Sequence, residues 1–137
     1  MKTAMIVALL LALAMVSVPT FARSTAQNKE AVPRYNAATE AVFKGTVTEV
    51  KDRECAVSGG HLGSHVILKL ADGTSIEVHL APTKFVNEYE LIFKVGDELE
   101  VTGSKVNFEG VDTIFAREVK RGTDVFVFRD KDGKPVW

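Results

Sequence analysis

The residues best suited to bind a metal ion are concentrated in one short stretch of this 137-residue chain. All three histidines and the only cysteine fall in it, at Cys55, His61, His65 and His79. Imidazole nitrogen and cysteine sulfur favour zinc or copper over calcium and magnesium, which prefer oxygen ligands. The sequence therefore predicts a candidate zinc or copper site at His65 and His79, with His61 or Cys55 as further ligands.

The apolar pattern around Ala71-Asp72-Gly73 predicts that His65 and His79 face each other across a β-hairpin. Alternating runs flank these three residues, which suit a three-residue loop closed by a left-handed glycine. Such a loop places the apolar residues of both strands on one face, namely Val66, Leu68, Ile76 and Val78. A two-residue Asp-Gly turn would mix apolar and polar faces, so the burial pattern selects the longer loop.

A second interpretation of the histidines stays open. Opposed histidines on strands can simply stack or bond to backbone, and His-x-x-x-His outside a helix is a weak metal motif. Cys55 can be buried, paired between chains or bound to metal, but as the sole cysteine it forms no disulfide within the chain. The residue types identify a candidate site but do not determine whether it binds a metal.

The hairpin face that carries the histidines is also a candidate ligand surface. Its remaining side chains include Ile67, Lys69 and Glu77. In OB barrels the second and third strands commonly bind the ligand. The alternative function is therefore a protein- or glycan-binding module that uses this face of residues 65–80 without metal.

Catalytic signatures are missing from the sequence. It has no Gly-x-Ser-x-Gly nucleophile motif, no phosphate-binding loop and no His-Glu-x-x-His. Its 17 Lys and Arg and 18 Asp and Glu are spread along the chain, without the basic concentration typical of nucleic-acid binding. We expect neither an enzyme nor a nucleic-acid-binding protein.

The N-terminal residues predict export. Lys2 precedes an apolar run that ends at Pro19, and Ala22 supplies a small residue for cleavage. Residues 1–22 are therefore predicted to be a signal peptide, residues 23–39 a flexible polar leader, and residues 40–137 the folded domain. A periplasmic or secreted protein is expected, with no stable membrane insertion after cleavage.

Period-two patterns predict a mainly β domain over residues 40–137. A strand over residues 41–51 precedes the hairpin, and helically spaced apolar residues over 83–95 follow it. Further strands are predicted over residues 98–101, 106–108, 113–119 and 125–128. The predicted fold class is a small OB-like closed barrel of about five to seven strands, with one helix between strands 3 and 4.

A set of short motifs supports the same fold. They include Gly45-Thr46-Val47, Asp72-Gly73, Glu77-Val78-His79-Leu80-Ala81-Pro82, Glu100-Val101-Thr102-Gly103-Ser104 and Gly133-Lys134-Pro135-Val136-Trp137. Together they resemble a group of exported bacterial OB-like β-domains, related to the β-domain of magnetosome proteins of the MamS and MamX kind. Some of these relatives carry c-type haem, but a single cysteine cannot form Cys-x-x-Cys-His, so no covalent haem is expected.

These observations predict an exported, non-enzymatic binding or accessory module of the cell envelope. One hypothesis is that it binds a transition metal, and the alternative is that it binds a protein or a glycan. An envelope protein or a small ligand is the expected partner.

Overall fold

The computed structural model describes residues 32–137, which form a curved six-stranded sheet with one short helix. The elements are β1 Glu40–Glu54, β2 Leu62–Leu70, β3 Ser75–Pro82, α1 Thr83–Glu88, β4 Glu98–Phe108, β5 Val111–Arg121 and β6 Asp124–Val127. Short 3₁₀ turns stand before and after β1, at Ala37–Thr39 and Ala56–Ser58. The predicted signal peptide and the first part of the predicted leader lie outside the described residues, and the domain limits stay predictions.

The sheet closes into a barrel because β5 pairs with β3 as well as with β4. The strand order is β3-β2-β1-β4-β5-β6, and the parallel pairing of β3 with β5 completes the ring. β6 lies beside the second half of β5. With α1 between β3 and β4, this arrangement confirms the predicted OB-like closed barrel.

The β2–β3 hairpin has the predicted register. Leu68 lies opposite Ile76, and Val66 lies opposite Val78. Gly73 has a φ of 85°, the left-handed conformation that the three-residue loop needs and that side chains disfavour. The apolar face of the hairpin enters the main core, whose other buried members include Val47, Leu99, Val101, Ile114, Val119 and Phe128.

Two elements differ most from their predicted limits. The helix ends at Glu88 rather than continuing to residue 95, because the chain takes a positive φ of 52° at Glu90. The two strands predicted over 98–101 and 106–108 form the single strand β4. The polar residues between them stay in the strand, where the fully buried Ser104 hydroxyl accepts the Asn36 N–H at 3.0 Å.

Candidate metal centre

His65 and His79 form a cross-strand pair, as the hairpin register predicted. They are directly opposed in the β2–β3 ladder, and their ring centroids lie 4.3 Å apart at an interplanar angle of 66°. Both are buried, with 1% and 4% of their surface exposed, although they lie on the face opposite the main core. Both imidazoles are therefore shielded from solvent.

The histidines are buried because the β4–β5 hairpin covers them. β5 joins β3 in parallel and brings Phe115 beside His79, with the ring centroids 5.3 Å apart. Phe108 packs on His79 from a second direction at 5.7 Å. A second small buried cluster thus lies on this face of the sheet, with the rings of Phe108 and Phe115 packed against His79.

Cys55 enters this cluster from the loop between β1 and β2. Its backbone N–H donates to the His61 carbonyl, and its own carbonyl accepts from Ser58 and Gly60, so the loop is closed by hydrogen bonds. Cys55 is 3% exposed, and its Sγ lies 3.4 Å from Nδ1 of His79. The glycine-rich loop therefore holds the cysteine against the histidine pair.

Gly63 makes this approach possible. A Cβ atom at this position would lie 2.6 Å from the Ser58 hydroxyl, 3.1 Å from Cβ of Cys55 and 3.4 Å from Nε2 of His65. Only a residue without a side chain lets the loop lie this close to β2. The same contacts show that Nε2 of His65 faces the Cys55 side of the cluster.

One sulfur and two imidazole ligands thus converge at one point. Cys55, His65 and His79 each offer one ligand atom, and these atoms all lie within 4.8 Å of one another. Tetrahedral zinc with typical Zn–S and Zn–N bonds would separate its ligand atoms by about 3.3–3.7 Å. The Cys55 Sγ to His79 Nδ1 distance of 3.4 Å already falls in that range.

Glu77 faces the opposite nitrogens of both rings. Its Oε1 lies 3.8 Å from Nδ1 of His65 and 3.8 Å from Nε2 of His79, and neither nitrogen has a hydrogen-bond partner among the described residues. Arg53 fixes this carboxylate by donating from Nε at 3.1 Å and Nη2 at 3.0 Å. Hydrogen bonds and charge from Arg53 hold the pKa of Glu77 below its ordinary value, against the opposing effect of burial.

Burial keeps both imidazoles neutral at physiological pH. It lowers the pKa of His65 to about 4, and the nearby Glu77 carboxylate opposes this only in part. Burial, followed by the neighbouring His65, lowers the pKa of His79 to about 3. Neutral imidazole is the form that binds metal ions, so the buried pair is in its ligating state.

A cavity of about 10 Å³ borders the histidine pair. Its wall includes His65, His79, Ser58, Ser64 and Arg129. This volume is at the lower limit for holding one water molecule, and the hydroxyls of Ser58 and Ser64 offer polar partners for it. The lining includes both imidazoles but not Cys55, so the cavity borders the histidine pair rather than the sulfur.

The structure separates the remaining predicted site residues. His61 is exposed in the loop and is not among the three converging ligands. Of the predicted ligand face, Lys69 is exposed, Ile67 is half-buried and Glu77 belongs to the histidine cluster. Arg53 was not predicted as a site residue, and only its pairing with Glu77 on the far side of strand β2 reveals its role.

Comparison with known proteins gives one result. The model of the MamS/MamX magnetosome protein family matches residues 39–126, more than half of the chain, and the matched region includes Cys55, His65 and His79. No curated protein and no solved structure matches the chain. Within residues 32–137, no helix has both the length and the apolar character needed to cross a membrane.

Proposed function

The chain belongs to the MamS/MamX magnetosome protein family, and from this premise we propose that it is a non-enzymatic accessory module that binds one transition-metal ion. The ligands are Cys55, His65 and His79, and the metal is zinc or copper. The observation that carries this proposal is the burial of all three side chains with their ligand atoms within 4.8 Å of one another.

The nitrogens that would bind a metal lie opposite the unpaired ones. Nδ1 of His65 and Nε2 of His79, which face Glu77, have no hydrogen-bond partner among the described residues, and the other nitrogen of each ring is on the Cys55 side. A metal on the Cys55 side of the rings would polarise the opposite N–H groups toward the Glu77 carboxylate. A carboxylate beyond the ligating histidines is a common feature of protein metal sites.

The donor set agrees with zinc and with copper. One thiolate and two imidazoles provide the mixed sulfur and nitrogen ligands of zinc sites, and the same set occurs in trigonal copper sites. The negative charge of the Cys55 thiolate would partly neutralise the positive charge of either ion. Metal titration can distinguish the two ions.

The cellular setting belongs to the same proposal. The signal peptide predicted over residues 1–22 directs the chain to the periplasm or outside the cell, and the family description associates it with magnetosomes. We therefore expect a magnetosome-associated accessory role in the cell envelope, beside an envelope protein or a small ligand.

The alternative, a protein- or glycan-binding face, has less support. Among its three predicted residues, Glu77 is engaged by Arg53 and the histidine pair, and Ile67 is half-buried. Lys69 is the one exposed side chain of the three. Of these three residues, only Lys69 is therefore fully open to a partner.

Metal binding can be tested on protein expressed from the full coding sequence and purified without a histidine tag. After treatment with a chelator, we expect one equivalent of Zn(II) or Cu(II) to bind and to raise the thermal unfolding midpoint. Cys55→Ser and His79→Ala should abolish both effects. His61→Ala is the matched control, because His61 is exposed and outside the three ligands.

Two results would contradict the proposal. One is the absence of a thermal shift and of bound metal at concentrations well above micromolar. The other is equal metal binding by the parent protein, Cys55→Ser and His79→Ala. In either case pull-downs from envelope extracts would test the protein-binding alternative.

A further inference from the structure

Arg129 is a buried cation that pairs with no carboxylate of the described residues. It is 7% exposed, and its Nη1 donates to the Gly133 carbonyl at 2.9 Å. Its Nε has no hydrogen-bond partner, and no ion pair to it is formed within residues 32–137. Buried charges in proteins are usually paired, so the position of this guanidinium requires an explanation.

Three aromatic rings surround the guanidinium. Its Cζ lies 5.4 Å from the ring centroid of Tyr35, 5.8 Å from that of Phe115 and 5.1 Å from that of Trp137. These contacts hold the group in place and attract its charge. They leave its hydrogen-bonding capacity incompletely used, because a guanidinium has five N–H donors.

Arg129 also lines a cavity of about 510 Å³ on the surface. The wall includes two exposed cationic residues, Arg34 and Lys134. Its one acidic residue, Asp132, accepts from Lys131 at 2.9 Å. The cavity therefore has an excess of positive charge, with a fixed guanidinium at its buried side.

We propose that this cavity binds a small ligand that carries an oxyanion, a carboxylate or a phosphate, through Arg129. A planar guanidinium can donate two parallel hydrogen bonds to such a group. Arg34 and Lys134 add charge at the exposed side. The proposed metal is not required, although Arg129 lines the small cavity beside the histidine pair as well.

Titration of chelator-treated protein with phosphate and with citrate tests this proposal. At constant ionic strength, we expect saturable binding of at least one anion in the millimolar range or below. Arg129→Gln should weaken it by about tenfold or more, the usual loss for a charge-assisted hydrogen bond. Lys84→Gln is the control, because Lys84 is exposed and outside the cavity wall. Binding of phosphate alone or citrate alone identifies the ligand group.

A second variant keeps the test decisive if Arg129→Gln fails to fold. Arg34→Gln with Lys134→Gln removes two exposed charges without disturbing the core, and it should weaken the same binding by several-fold. The proposal is overturned if neither anion gives saturable binding up to tens of millimolar. It is also overturned if the cavity variants bind as tightly as Lys84→Gln.

Discussion

Glu77 and His79 face each other on the side of the imidazole ring that points away from Cys55. Oε1 of Glu77 lies 3.8 Å from Nε2 of His79, whereas Nδ1 of the same ring lies 3.4 Å from the Cys55 sulfur. The ring therefore stands between a carboxylate and a thiol. A carboxylate in this outer position orients a ligating imidazole and raises its basicity.

We expect Glu77→Gln to weaken metal binding by about 10–100-fold, the range found when such outer carboxylates are removed. Glutamine keeps the shape of the side chain but removes its charge. Competition titration with a chromophoric chelator measures the effect. Glu100→Gln is the matched control, because Glu100 also forms an ion pair on a strand but lies outside the cluster. Affinities of Glu77→Gln and parent that agree within twofold would contradict a role for this carboxylate.

Gly63→Ala should destabilise the fold and weaken metal binding together. The added Cβ would lie 2.6 Å from the Ser58 hydroxyl and 3.1 Å from Cβ of Cys55, so the cysteine loop must move away from β2. Overpacking of this kind costs about 1–3 kcal/mol in the free energy of unfolding. Urea unfolding and metal titration check both effects. Adding Ser58→Ala should recover part of the loss, and an unchanged metal affinity in Gly63→Ala would refute the proposed loop placement.

The hairpin could be predicted from sequence because its information is local. The alternation of Val66, Leu68, Ile76 and Val78 admits one register, and that register alone places His65 opposite His79. The turn residues select the same loop independently. Agreement between these two local signals is the reason the paired histidines were identified correctly.

Burial of the same histidines could not be predicted, because it depends on distant residues. Phe115 reaches His79 only through the parallel pairing of β3 with β5, which no local pattern encodes. Cys55 joins the cluster and His61 does not, because the loop between β1 and β2 lies close to β2 at Gly63.

The predicted helix over 83–95 was too long, because the spacing of its apolar residues continues past the turn at Glu90.

Gly73→Ala tests the hairpin turn separately from the metal centre. No atom lies within 4 Å of the position of an added Cβ, so the substitution acts through the backbone alone, which has a φ of 85°. A left-handed conformation costs a residue with a side chain about 1–2 kcal/mol. Urea unfolding should show this loss, with metal affinity unchanged. A stability equal to that of the parent would mean that the turn has another conformation in solution.

The ion pair between Glu40 and Arg117 predicts a pH-dependent contribution to stability. Arg117 donates to the two carboxylate oxygens of Glu40 from Nε and Nη2, at 3.0 Å each. These hydrogen bonds, followed by the one from the Tyr35 hydroxyl, hold the pKa of Glu40 below its ordinary value of 4.5. The Glu40 carboxylate therefore takes up a proton more readily in the unfolded chain than in the folded protein. The contribution is fully present above about pH 4.5 and is lost as the pH falls through the lower folded pKa.

Comparison of the parent with Glu40→Gln isolates this contribution. We expect the parent to be more stable by about 1–2 kcal/mol at neutral pH, the usual range for a charge-assisted pair, because Gln cannot form the charged contact with Arg117. The difference should shrink as the pH falls below about 4.5 and vanish once Glu40 is protonated in the folded protein, because protonated Glu40 is as neutral as Gln. Urea unfolding across this range measures it. Glu100→Gln is again the control, since its partner Lys44 is largely exposed and surface pairs contribute little. A difference between the parent and Glu40→Gln that stays constant with pH would show that Glu40 stabilises the fold by packing rather than by its charge.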